Sequence, residues 1–114
     1  MPETENLARA ALERLENGDA WCKAMPITVE GRRCLVGAVS NATLKTMNPY
    51  EEANRSPIAP IVASVIQGQF PERYSGGDDL AYVLYRFNDS RDTTFDDVRV
   101  VLEKAAIQVD EILS

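Results

Sequence analysis

Apolar residues in this chain recur mainly at helical spacing. Leu7, Ala8, Ala11, Leu12 and Leu15 fall on one face of a predicted first helix. Thr4 is the expected N-cap, with Glu5 in the first turn. Asn17-Gly18 is the expected stop, Gly18 suiting a left-handed cap. The period then lapses. Trp21 follows the stop, Pro26 breaks any helix, Ile27-Thr28-Val29 favours extended backbone and Glu30-Gly31 reads as a turn. Residues 19–31 are therefore expected to be irregular or a short hairpin.

Helical spacing resumes from about Arg33 to Lys45, with Cys34, Leu35, Ala38, Val39 and Ala42 as the stripe. Gly37 lies inside it, where glycine costs about 1 kcal/mol relative to alanine, so its use is close packing against another backbone. Residues 47–55 read as a loop marked by Pro49. A third helix follows Ser56, with Pro57 near its start, Pro60 pushing that start downstream and Gly68 as its stop. Ile58, Ile61, Val62, Val65 and Ile66 carry its apolar face. Residues 70–77 form a loop.

Asp78 or Asp79 is expected to cap a short helix through Phe87, although Tyr82-Val83-Leu84-Tyr85 also has strand propensity. The last helix begins at Thr94, with Asp97 three residues on as a carboxylate variant of the capping box. Its seam is Phe95, Val98, Leu102, Ala105, Val109 and Ile112. The sum is a single mainly α domain over residues 1–114: a compact bundle of about five helices, with the irregular or hairpin segment between the first two.

Composition narrows the chemistry. The 114 residues are 45% apolar, enough for one core without a metal or disulfide. No apolar run reaches the ~20 residues needed to span a bilayer, and the acidic start lacks the features of a signal peptide, so a cytosolic protein is expected. The net charge is −6. Residues 48–114 hold all of that excess, with twelve acids against six bases. No dense basic face is apparent, and nucleic-acid binding is not expected.

Histidine is absent. That removes Ser-His-Asp and Cys-His hydrolases and most catalytic zinc and non-haem iron sites. The two cysteines, Cys22 and Cys34, match no zinc or redox spacing and are expected to be free thiols. No cofactor or metal is expected: Asp78-Asp79 and Asp96-Asp97 serve as helix-start carboxylates, and Glu51-Glu52 has no EF-hand spacing. Arg32-Arg33 reads as a solvated turn, with phosphate binding as the less favoured use.

Three separated motifs occur in order: Trp21-Cys22-Lys23; Gly31 followed by Cys34-Leu35-Val36-Gly37-Ala38; and Phe87-Asn88-Asp89 followed by Thr93 and Asp97-Val98. The pattern resembles a family of small bacterial and phage proteins classed as a domain of unknown function. Phe87 stands where that family usually has tryptophan. The resemblance implies a compact helical fold and no particular activity.

Two candidate surfaces follow. Trp21, Cys34, Asn88 and Asp89, with Cys22 beside them, are candidates for a small-molecule or thiol-dependent pocket. A cysteine near a helix start with Arg32 and Arg33 adjacent favours a thiolate. The competing reading makes Cys34 a core residue, Asn88-Asp89 a turn and Trp21 a corner plug. Tyr82 and Tyr85, three apart on one helical face, are interface candidates, with Tyr74 nearby. The preferred expectation is a non-enzymatic module that binds another protein. Its partner would be basic if the acids of 48–114 share one face, as in a mimic of nucleic acid. A homodimer through an apolar helix face is a further alternative.

Overall fold

The computed structural model describes residues 6–113. Six α-helices occur among them: α1 (Leu7–Arg14), α2 (Leu35–Ser40), α3 (Pro49–Arg55), α4 (Ala59–Gln69), α5 (Leu80–Asp89) and α6 (Phe95–Leu113). Short 3-10 turns occupy Glu16–Gly18 and Pro71–Arg73. There is no named strand among the described residues. The segment after α1 makes only isolated bridges, Trp21 with Arg33 (parallel) and Ile27 with Arg33 (antiparallel).

Helix α6 packs on α1 and α4, while α5 packs on α2, α3 and α4. Phe87, Leu15, Leu35, Ile66, Leu84 and Leu102 are fully buried at the centre. The α6 seam is consumed inside the chain: Val98, Leu102, Ala105 and Val109 are buried, and only its end, at Ile112, is exposed. These residues are part of the chain's own core.

The predicted cap Thr4 lies outside the described residues. Asn6 caps α1, its Oδ1 accepting the amides of Ala8 and Arg9. Its Nδ2 donates to the Ala106 carbonyl at 2.8 Å, so one side chain starts α1 and fastens it to α6. The chain turns at Gly18 with φ +99°, and a Cβ there would lie 3.1 Å from the Phe95 ring.

Three sequence expectations are corrected. Helix α2 is shorter than 33–45, because Asn41 takes the left-handed conformation at φ +55° and ends it. Residues 49–55 are helical rather than loop. Asn48 Oδ1 accepts the Glu51 amide at 3.1 Å, and Pro49 occupies the first turn, where its missing N–H costs nothing. The short helix expected through Phe87 is present as Leu80–Asp89, capped by Asp79 through the Tyr82 amide, and the strand alternative is not taken. Gly68 lies inside the last turn of α4 rather than ending it.

Gly37 does what its cost implied. A Cβ at this position would collide with the Pro26 carbonyl oxygen. That carbonyl also accepts the Cys34 amide at 3.2 Å. The irregular segment is thus laid directly across the first turn of α2.

Candidate functional site

The fold brings Trp21, Cys22, Asn88 and Asp89 together. Trp21 is placed by the backbone bonds around its bridge to Arg33: the Arg33 amide donates to Ala20 and the Cys22 amide donates to Arg33. Asn88 comes from the last turn of α5 and is fully buried. Its Oδ1 accepts the Trp21 indole N–H at 2.7 Å and the Leu35 amide at 3.0 Å. Its Nδ2 donates to the Cys22 carbonyl at 3.1 Å and to Asp89 Oδ1 at 3.0 Å. All four hydrogen-bonding positions of this amide are used.

Asp89 extends the network. Both its oxygens accept the Ala24 amide, at 3.0 and 3.1 Å, and Ala24 is held at φ +78°. Lys23 Nζ donates to the Ser90 carbonyl at 2.8 Å and sits 5.7 Å from the Trp21 ring. Trp21 also contacts Phe95 at the start of α6, with ring centroids 6.1 Å apart. The cluster therefore clasps the 21–24 segment, α2, α5 and α6. Its polar groups are spent on one another, as a rigid buried network requires.

Cys34 flanks the clasp as the residue before α2, with only 1% of its surface exposed. This is the core position of the competing reading, and it disfavours a thiolate. Burial pushes this thiol up to about 12, against the opposing pull of the Gly37 and Val36 amides. Cys22 is half-buried; its thiol donates to the Met25 carbonyl at 3.4 Å and is also raised, first by burial and then by Asp89. Arg33 Nε donates to the Ala42 carbonyl at 3.0 Å, just beyond the end of α2. Arg32 is exposed.

Tyr82 and Tyr85 share a face of α5, as their spacing predicts, and α3 adds a ring that the sequence reading missed. Tyr50 meets Tyr85 edge-on at 6.2 Å, and Tyr85 meets Tyr82 at 6.4 Å. Tyr82 is 47% exposed and Tyr50 38%, whereas Tyr85 is partly buried against the core. Burial, and then the charges around it, raise the Tyr50 phenol above its ordinary range. The missed signal was the helix start at Asn48-Pro49, which carries Tyr50.

Beside these rings lies an open cleft of about 610 Å³, between residues 72–75 and the C-terminal half of α5. Its walls include Arg73, Tyr74, Tyr85, Arg86, Asp89 and Arg91. Arg73 is fixed there, donating to Asp97 at 2.8 Å and Thr93 Oγ1 at 3.0 Å, with its guanidinium 4.7 Å from the Phe70 ring. Among the twelve acids of 48–114, Asp79 caps α5, Asp97 caps α6 and holds Arg73, Glu51 pairs with Arg55 and Asp110 with Arg9.

Among the described residues, no group of three or more Cys, Asp or Glu side chains is placed to hold a metal ion. No described helix is long and apolar enough to cross a membrane. No curated protein and no solved structure matches the chain. A family model does match, over residues 1–108, and the chain belongs to that family, the Family of unknown function (DUF6197).

Proposed function

We propose that this protein is a non-enzymatic binding module for another protein, and that its contact surface is the tyrosine face formed by α3 and α5. The observation that carries the reading is the run of touching rings Tyr50, Tyr85 and Tyr82, exposed at both ends and anchored at the middle. Tyrosine offers large, stiff contact area at small entropic cost, and tyrosine and arginine are enriched where binding energy concentrates. Arg86 lies 5.8 Å from the Tyr82 ring and adds that second residue type. The thiol-dependent alternative loses support from the burial of Cys34 and the complete internal satisfaction of Asn88. The reading takes the protein as cytosolic, where Cys22 and Cys34 stay thiols.

The test is affinity capture from a lysate of the native source with wild type and with Tyr50→Ala/Tyr82→Ala. These two positions are chosen because Tyr85 packs on the core, where truncation would disturb the fold. The variant should keep its far-UV circular dichroism and thermal midpoint while losing a partner that wild type retains. Equal recovery of that partner by a folded variant would remove the tyrosine face from the reading.

A further inference from the structure

The two cysteines follow the paired residues of a parallel bridge. The Arg33 amide donates to the Ala20 carbonyl at 2.7 Å, and the Cys22 amide donates to the Arg33 carbonyl at 3.0 Å. These two bonds make the bridge of Trp21 with Arg33. In a parallel ladder the residues after each bridge partner, here Cys22 and Cys34, stand side by side and on the same face. Paired backbones run about 4.8 Å apart, within the span of about 4.4–6.8 Å that a disulfide takes between Cα atoms. Cys34 is extended, at φ −83° and ψ −177°, so the register carries through it. Cys22 is also near enough for its charge to add to the rise of the Cys34 thiol.

The two sulfurs differ in access. Cys22 is half-buried, with its Sγ on the Met25 carbonyl at 3.4 Å, and Cys34 is buried. Turning the Cys22 sulfur from Met25 toward Cys34 gives up only a weak thiol hydrogen bond. We propose that Cys22 and Cys34 close into a reversible intramolecular disulfide under hydrogen peroxide, a redox switch that ties the loop 22–34 to the start of α2. The Cys22 sulfur attacks one peroxide oxygen, the O–O bond breaks, and Cys22 becomes a sulfenic acid as one water leaves. The Cys34 sulfur then attacks the Cys22 sulfur. The S–O bond breaks, and the hydroxyl takes the Cys34 proton and leaves as a second water. The dithiol loses two electrons, and one peroxide is reduced to two waters. Because the Cys34 proton goes to the leaving hydroxyl, no free thiolate is needed in the core. Neither thiol is activated, so closure takes minutes to hours. The reduced pair is the resting state in a cytosol, and the switch does not depend on the tyrosine face.

The test treats the native full chain with hydrogen peroxide, blocks remaining thiols in denaturant and maps unreduced peptides by mass spectrometry. The peptides of Cys22 and Cys34 should appear linked, two hydrogens lighter than the separate thiol peptides, and dithiothreitol should restore both thiols. The oxidised monomer should melt about 10 °C above the reduced one, because the link restrains the unfolded chain. In Cys22→Ser the same treatment should leave Cys34 a thiol. A Cys22 sulfinic acid beside a free Cys34, a Cys22-linked dimer, no oxidation of the native chain, oxidation of Cys34 in Cys22→Ser, or an oxidised monomer that melts below the reduced one would overturn the proposal.

Discussion

The indole nitrogen of Trp21 donates at 2.7 Å to the same Asn88 oxygen that takes the Leu35 amide at 3.0 Å. One side-chain atom thus joins the irregular segment to the start of α2 from a position on α5. Replacing Asn88 with leucine keeps the approximate volume and strands three partners, the buried Leu35 N–H and the part-buried Trp21 N–H and Cys22 carbonyl. Each stranded group costs about 1–3 kcal/mol. Partial relief by water leaves an expected loss of about 3–4 kcal/mol, a large share of the stability of a domain this size. Trp21→Phe removes one donor while Leu35 still satisfies the oxygen, so it should cost less, about 1–2 kcal/mol. Urea unfolding followed by far-UV circular dichroism measures both. A loss below about 1 kcal/mol for Asn88→Leu would show that the clasp does not secure the segment.

The cysteines should separate kinetically and energetically. Cys22 is half-buried and Cys34 almost inaccessible, so an alkylating reagent at pH 8 should label Cys22 in the native state and Cys34 only on unfolding. A thiol raised to about 12 in the fold, from 9.0, stays neutral there after it would ionise in the unfolded chain. Its contribution is fully present below about pH 9 and is lost as pH rises from 9 to 12, because the unfolded state then binds fewer protons. In that window wild type should lose about 1.4 kcal/mol per pH unit more than Cys34→Ala does. Parallel stability curves for the two proteins between pH 9 and 11 would show that Cys34 ionises without resistance in the fold.

Much of the helical frame was legible because burial follows period. The apolar faces of α1, α4 and α6 are the ones the spacing marks, and the cost of Gly37 pointed correctly to a close backbone, that of Pro26. The errors have local causes. Pro49 reads as a breaker in the sequence, but after Asn48 it marks a helix start, and that start is what carries the ring of Tyr50. Ala42 is buried and extended the apparent stripe of α2, but it lies past the left-handed turn at Asn41. The clasp was legible only as a list of residue types. Its bonds link positions 67 and 53 apart in the chain, and no spacing rule reveals which Asn88 atom meets which donor. The cleft was invisible for the same reason, since Arg73 and Arg91 come from separate segments brought together by α5.

Arg73 gives the last prediction, because the wall of the cleft depends on it. Its guanidinium bonds Asp97 and Thr93 and covers Phe70, with the Arg73 and Asp97 side chains only 17% and 24% exposed. Such a pair is shielded enough to exceed the worth of a surface bridge, without the full desolvation cost of a deep one. Asp97 also caps α6 by accepting the Thr94 amide at 3.2 Å, so Asp97→Asn is the partner change that retains an acceptor for the cap. Arg73→Ala should cost about 2–3 kcal/mol, from the ion pair, the Thr93 bond and the lost packing on Phe70. A double-mutant cycle of Arg73→Ala with Asp97→Asn should give a coupling of about 1–2 kcal/mol, because the second change removes little once the guanidinium is gone. Additive losses would mean that Arg73 is held by Phe70 and Thr93 alone. The cleft wall would then owe its position to packing rather than to charge.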